Sequence, residues 1–253
     1  MKKLTETFTA QIGKRLLPVW LIQLIVYSVW LILVSLDWSG RFYSLLCHLL
    51  LIAVFVMSAA LVFYAFFQIW KLFADCFYSA RAYLIRTLPY SRKTIYWSWF
   101  VTSLLTLLLL IALFTAMVAL PFVLHDFAEI QTGGILDVDA GQMVLAFVIE
   151  VIVQWIAYML SGAFGIAYGH RNGRSEWLIF IATGIACALI VQLTAAGLLF
   201  VFEPGFISLL DSPTIQGADL VRIIYKMALA FLLLDGILAF LCARRVEKHA
   251  DVE

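Results

Sequence analysis

Two acidic residues interrupt long apolar runs in this sequence of 253 residues, and they are the clearest candidates for chemistry. Glu150 lies within the run 143–153, and Asp235 lies within the run 231–238. A charge at the centre of a bilayer costs about 2.5–3.5 kcal/mol on insertion scales, so each side chain is expected to face protein or water. Three roles fit such groups: the polar lining of a translocation path, a proton relay, or a structural pair in which one protonated acid hydrogen-bonds a neighbouring helix.

Two basic residues precede Asp235 in the same apolar run. Arg222 and Lys226 are four positions apart, which places them on one face of a helix and one turn from each other. Asp235 follows two to three turns later, which is too far for either side chain to reach. We therefore expect Arg222 and Lys226 to lie near the outer membrane boundary without pairing with Asp235.

Sequence motifs of common enzymes are missing. The chain has no GxxxxGK loop followed by Ser or Thr, no HExxH motif and no GxSxG motif. Its four histidines are dispersed along the chain: His48, His125, His170 and His249. We expect no catalytic residue in this chain.

Metal and disulfide chemistry is also poorly supported. The four cysteines lack CxxC spacing, which favours packed thiols over a zinc site or a disulfide framework: Cys47, Cys76, Cys187 and Cys242. Asp137 and Asp139 before Gly141 match only a fragment of a calcium-binding loop. Their acidic loop is better explained by the avoidance of basic residues on the outer side, although an acidic mouth for cationic cargo also fits. No bound metal is predicted.

The composition places these residues in a membrane protein. The chain is 64% hydrophobic and 13% charged, and its mean hydropathy is +1.02. A soluble domain cannot bury that much apolar surface, so the solvent must be a bilayer. The net charge of +1 and the absence of a long basic run argue against nucleic acid as a partner.

Six apolar runs are long enough to cross a bilayer, which needs about 20 residues per helix. They lie at 18–36, 43–70, 98–124, 142–168, 177–201 and 221–243. We therefore predict an all-α integral membrane protein with one transmembrane domain over 1–253. The first 17 residues carry an apolar stripe of Leu4, Phe8, Ile12 and Leu16 among polar residues, which predicts an interfacial elbow helix that Pro18 turns into the first span.

Basic residues predict the orientation. Of the 17 lysines and arginines, 14 fall in four segments on one side of the predicted spans: 1–17, 71–97, 170–176 and 244–253. Only Arg41, Arg222 and Lys226 fall on the other side. Because cytoplasmic loops are enriched in lysine and arginine, both termini are predicted to be cytoplasmic.

Two further features concern packing. The segment 201–220 is too apolar for an exposed loop and is broken by Pro204 and Pro213, so it fits a re-entrant or interfacial element on the outer side. Gly165 and Gly169 have the spacing of closely packed membrane helices, and Gly184 lies among alanines in the next span.

The basic segment 71–97 lies between the second and third spans. Pro89 removes a backbone donor and restricts Leu88 to extended conformations, so it ends a short helix. Ser91 follows and is a suitable N-cap for the third span. The segment thus has the form of a short, rigid cytoplasmic helix that returns at once into the bilayer.

This segment resembles the signature of ABC-2 type permeases, the membrane subunits of type V ABC exporters. Members typically show Tyr-Leu-x-x-Thr-Leu-Pro-x-Ser followed by a basic residue and a span. The matching residues are Tyr83, Leu84, Thr87, Leu88, Pro89, Ser91 and Arg92. Arg81 and Ala82 depart from the Glu-Gly pair that often precedes the motif. The elbow helix, six spans and outer re-entrant segment also agree with the family plan.

The resemblance implies a mechanical role. In that family the segment between spans two and three is a coupling helix that sits in a groove of a separate ATPase subunit, and the loop with His170, Arg171 and Arg174 makes a smaller contact. The expected coupling residues also include Asp75 and Arg86. Two permease chains, identical or related, would pair with two ATPase subunits in the cytoplasmic (inner) membrane of a bacterium. ATP and Mg would then bind to the partner, and this chain would bind no cofactor.

The cargo is the least defined part of this prediction. The apolar and aromatic runs suit an amphipathic or hydrophobic cargo, and similar small exporters handle antimicrobial, toxin or lantibiotic peptides. Peptide export, including self-immunity, is therefore the leading prediction, with lipid, drug or polysaccharide export as alternatives. A non-transporting membrane scaffold or sensor subunit is the alternative from a different class, and an intramembrane enzyme using Glu150 or Asp235 is a third.

Overall fold

The computed structural model describes residues 1–36, 41–78, 89–124, 140–169, 176–206 and 217–248. Within these ranges it contains six long helices and no strand. They are α1 (Lys2–Ser35), α2 (Arg41–Phe77), α3 (Arg92–Leu124), α4 (Ala140–Gly169), α5 (Glu176–Phe202) and α6 (Gly217–Lys248). Each is long and apolar enough to cross a membrane. The predicted all-α class and the six predicted membrane-length helices are confirmed.

The beginning of the chain belongs to the first long helix. α1 is continuous from Lys2 to Ser35 and contains Pro18, so a separate interfacial helix over 1–17 is not shown. The apolar stripe of Leu4, Phe8, Ile12 and Leu16 is buried in the main core. The first half of α1 therefore has protein partners along its apolar face.

Polar contacts hold this half of α1 in place. The Arg15 guanidinium donates a hydrogen bond to Gln68 Oε1 on α2 at 2.9 Å. The Thr102 hydroxyl on α3 donates to the backbone carbonyl of Thr5 at 3.4 Å. These contacts join the first half of α1 to α2 and α3.

The six helices alternate in direction along the chain and pack as two groups of three. α1 packs against α2 and α3, and α4 packs against α5 and α6. The proximal end of the bundle is defined by six helix termini: Lys2, Phe77, Arg92, Gly169, Glu176 and Lys248. The opposite end, with Ser35, Arg41, Phe202 and Gly217, is the distal end.

The core is concentrated towards the proximal end. One large cluster draws on all six helices, and its largest fully buried side chains include Trp99, Tyr96 and Phe73. The second cluster joins only α1, α2 and α3 near the distal end, around Tyr27 and Met117. Since lipid is as apolar as leucine, such helices associate through close packing and hydrogen bonds.

Aromatic side chains supply such bonds by donating to backbone carbonyls of other helices. Trp99 Nε1 donates to the carbonyl of Ile69 at 3.1 Å, and Trp70 Nε1 donates to that of Met159 at 3.1 Å. Tyr96 Oη donates to the carbonyl of Ala239 at 2.9 Å. A polar group without a partner is costly in this environment. These bonds therefore satisfy the donors and tie α2, α3, α4 and α6 together.

The predicted close packing of glycines is confirmed between α4 and α5. A Cβ built on Gly165 would stand 2.8 Å from the backbone of Gly184. One turn earlier, a Cβ on Gly162 would stand 2.2 Å from the indole of Trp70. Glycine is needed at both positions because any side chain would displace a helix or a buried indole.

The predicted re-entrant segment 201–220 is described only at its two ends. α5 ends at Phe202, and the chain then turns, with the Phe206 amide donating to the Glu203 carbonyl at 3.0 Å. The Phe206 ring packs edge-on against Phe200, with centroids 5.5 Å apart. α6 begins at Gly217, and residues 207–216 lie outside the described ranges, so the re-entrant form stays a prediction.

Candidate functional site

Asp235 lies in the middle of α6 and is 4% exposed. Neither of its carboxylate oxygens has a hydrogen-bond partner among the described residues. As the sequence predicted, Arg222 and Lys226 do not pair with it, since both bind elsewhere. The described helices thus provide no donor for a structural hydrogen bond to this acid.

A groove of about 690 Å³ passes over Asp235. α6 forms one wall, with α3 and α4 forming the rest. Its apolar lining includes Trp97, Phe100, Ile156, Leu160, Leu232 and Phe240. Towards the proximal end its mouth carries Lys93, Arg244 and Glu247. The groove is therefore apolar along its length, charged at its mouth and acidic within.

Gly236, the residue after Asp235, leaves open space in the groove wall. It contributes to the lining, and a Cβ built on it would meet no atom within 4 Å. The groove therefore has room for a side chain or for part of a ligand at this position.

Glu150 has a different setting. It is partly buried on α4, and its Oε2 atom is buried without a hydrogen-bond partner among the described residues. It does not contribute to the lining of the groove that contains Asp235. The structure therefore does not bring the two predicted pathway acids into one pocket.

A third acid, Glu203, forms an ion cluster at the distal end that sequence reasoning missed. Its carboxylate binds Lys226 Nζ and, at 3.2 Å, Arg222 Nη2, while Arg222 also lies 3.1 Å from Asp219. Lys226 Nζ donates as well to the Phe202 carbonyl at 2.7 Å, which closes the end of α5. The hydrogen bond from Lys226, with the charge of Arg222, lowers the pKa of Glu203. The sequence does not single out Glu203 for this role, because Asp211 and Asp219 lie nearer to the two basic residues along the chain.

The basic segment is described at its two edges. Asp75 lies in the last turn of α2 and is partly buried. Residues 79–88 lie outside the described ranges. Pro89 and Tyr90 then lead into α3, and Ser91 Oγ accepts a hydrogen bond from the Thr94 amide at 3.2 Å. This confirms Ser91 as the predicted N-cap. Arg92 is the first residue of α3 and is partly buried.

The remaining expected coupling residues lie outside the described ranges. They are Tyr83, Leu84, Arg86, Thr87 and Leu88, together with His170, Arg171 and Arg174. Their coupling roles therefore stay predictions.

Both edges of the basic segment are held by the core. The rings of Phe73 and Phe77 on α2 pack with their centroids 5.1 Å apart. The Phe73 ring also packs against Trp99 of α3, with a centroid distance of 4.7 Å. Tyr78, just past α2, is partly buried, and this burial raises its pKa, while nearby Arg245 and Arg92 oppose that rise. The last turn of α2, the first turn of α3 and the end of α6 thus meet at the proximal end.

Arg245 fastens α6 to α4 at this end. Its guanidinium lies 5.1 Å from the ring centre of Tyr168, and its Nε donates to the Ala167 carbonyl at 3.5 Å. A cation at a helix C-terminus also interacts favourably with the helix dipole. Among the described residues, no group of three or more side chains is arranged to hold a metal ion.

Comparison with known proteins adds no further assignment: no protein-family model, curated protein or solved structure matches the chain. The resemblance to ABC-2 permeases rests on the residues of the basic segment and on the layout of the helices.

Proposed function

We propose that this chain is the membrane-spanning permease subunit of an ATP-driven exporter that moves amphipathic peptides out of a bacterial cell. ATP and Mg would bind to a separate ATPase subunit, present in two copies, and two permease chains would form the transmembrane path. Both termini, and hence the proximal end of the bundle, would face the cytoplasm.

The observation that carries this proposal is the position of the motif Tyr83–Arg92. It connects two membrane-length helices at the proximal end, where most basic residues lie. A partner that binds this segment could act on both helices at once.

The packing beside the motif supports transmission of force. Because Trp99 of α3 donates to the Ile69 carbonyl of α2, and Tyr96 donates to the Ala239 carbonyl of α6, a displacement of the segment would move several helices together. Rigid elements that shift as a unit are the usual means by which a ligand on one subunit changes another.

Co-expression with the ATPase encoded beside this chain tests the proposal. We expect the two proteins to co-purify in detergent and amphipathic peptides to stimulate ATP turnover. A chain that purifies without an ATPase would contradict the assignment and favour a scaffold or sensor.

Substitution in the motif tests the coupling step. Leu88→Ala and Pro89→Ala should uncouple ATP hydrolysis from transport while membrane insertion is retained. Leu105→Ala is a matched control, because Leu105 is 49% exposed on α3 and lies outside the motif. Transport that is unchanged in both motif variants would contradict a coupling role for this segment.

A further inference from the structure

The unpartnered carboxyl group of Asp235 requires an explanation. Its residue is 4% exposed, and both oxygens lack hydrogen-bond partners in the described part of the chain. Burying an ionisable group without a partner is unfavourable, and such residues within membrane spans commonly mark a ligand or ion pathway.

The groove over Asp235 indicates the shape of a partner. It offers about 690 Å³, which lies within the usual range of ligand pockets, roughly 300–1,000 Å³. Apolar and aromatic side chains line it, and Gly236, the residue after Asp235, leaves open space in its wall. An apolar body with one polar group at a fixed position would match this arrangement.

The sign of the charge distinguishes the candidate ligands. An anionic lipid could place its phosphate near Lys93 and Arg244 at the mouth, but its acyl chains would leave Asp235 without a donor. Both carboxylate oxygens are buried in this structure, so the Asp235 side chain would turn towards the groove to pair with a ligand. A cationic group could then donate to both oxygens, and charge-assisted hydrogen bonds of this kind are among the stronger ones. The aromatic rings of Trp97, Phe100 and Phe240 offer further surface for an apolar ligand or a cation.

We propose that this groove is a binding site for a cationic amphipathic peptide segment, in which a lysine or arginine side chain pairs with Asp235 and the apolar side chains occupy the groove. The identity of the ligand as an exported cargo rests on the proposed function. The binding site itself rests on the groove and its buried carboxyl group.

A photo-crosslinking experiment on the full chain tests the proposal without the ATPase. The chain is placed in nanodiscs of phosphatidylcholine and exposed to a short hydrophobic peptide with one lysine and a diazirine. A second peptide differs only by acetylation of that lysine. We expect the lysine peptide to label the groove walls on α3 and α6, and acetylation to weaken binding about tenfold to a hundredfold, as expected for a hydrogen bond to a charged group.

Three variants separate charge from space. Asp235→Asn should remove the difference between the two peptides. Gly236→Leu should fill the groove and reduce labelling by both. Gly197→Leu is the matched control, because Gly197 on α5 also has nothing within 4 Å of a built Cβ but lies outside the groove. Thermal unfolding of each variant would show whether the fold is retained.

Several results would overturn the proposal. Equal labelling by both peptides in the native chain would contradict a cation site, as would a preference for lysine that persists in Asp235→Asn. Competition by dodecyl phosphate but not by dodecylamine, lost in Lys93→Ala with Arg244→Ala, would identify an anionic lipid site. Crosslinks from the groove to a second copy of the chain would identify an interface.

This experiment and the co-purification test fail independently. Selective labelling without ATPase assembly would retain the binding site and refute the exporter. ATPase assembly with peptide-stimulated turnover, but without selective labelling, would retain the exporter and refute this site.

Discussion

Glu203 and Asp235 are two acids of the same helical half with opposite surroundings. Glu203 lies just past α5 at the distal end and binds both Lys226 and Arg222. Asp235 lies inside α6 and has no partner among the described residues. A carboxylate that is needed only for structure usually acquires a partner. Arg222 and Lys226 thus stabilise the distal end, and neither of them pairs with Asp235.

The largest effect on the free energy of unfolding is expected at the close contact between α4 and α5. Gly165→Ala should lower the free energy of unfolding by about 1–3 kcal/mol, because its Cβ would clash with the Gly184 backbone 2.8 Å away. Gly197→Ala, with no neighbouring atom within 4 Å, should instead be neutral or stabilising by up to about 1 kcal/mol. Thermal or denaturant unfolding in detergent measures both. Equal effects of the two substitutions would show that the α4–α5 contact is not close.

Removing the partner of Glu203 and removing the charge of Asp235 should affect stability differently. Lys226→Met removes the main partner of Glu203 and should lower thermal stability. Asp235→Asn removes an unpartnered buried charge and should leave the free energy of unfolding unchanged or raise it by at most about 1 kcal/mol. The comparison breaks if Asp235→Asn is the more destabilising change, since Asp235 would then have a structural partner.

An uncharged contact at the proximal end provides a reference for these effects. Ser91→Ala removes the cap on the Thr94 amide and should cost about 1 kcal/mol of stability. Ser91→Asp should retain the cap, because aspartate is also a strong N-cap residue. Unfolding measurements that place both variants at the native value would show that the α3 terminus is held by packing alone.

The smallest effect is a dependence on pH. The pKa of Glu203 is lowered from its ordinary value of 4.5, chiefly by the hydrogen bond from Lys226. The stabilisation from this ion pair is therefore complete above that ordinary value and is lost as the pH falls through the lowered pKa. Thermal unfolding across this range should show the loss in the native chain and its absence in Glu203→Gln. A loss of the same size in Glu203→Gln would assign it to other acids.

Helix number and class could be predicted because they depend on local composition. Apolar runs of sufficient length and a serine after Pro89 are visible in the sequence, and the structure confirms six membrane-length helices and the Ser91 cap. The close contact at Gly165 was also predictable, since glycine spacing reports how near two backbones can approach.

The features that could not be predicted are contacts between distant parts of the chain. The stripe from Leu4 to Leu16 has the same pattern whether it faces lipid or protein, so the sequence could not show that α2 and α3 cover it. The ion cluster required knowledge that Glu203 folds back towards α6. The groove at Asp235 depends on the spacing of three helices, which no periodicity within one helix encodes.

The aromatic donors at the proximal end also bear on how the bundle can move. Trp70, Trp99 and Tyr96 fix the backbones of four helices near one end, whereas the core near the distal end joins only α1, α2 and α3. We expect the proximal end to act as a hinge. Small rotations there would separate the distal ends of α4–α6 from those of α1–α3. Spin labels on the distal ends of α3 and α5 would detect this as a broad distance distribution, and a narrow one would exclude it.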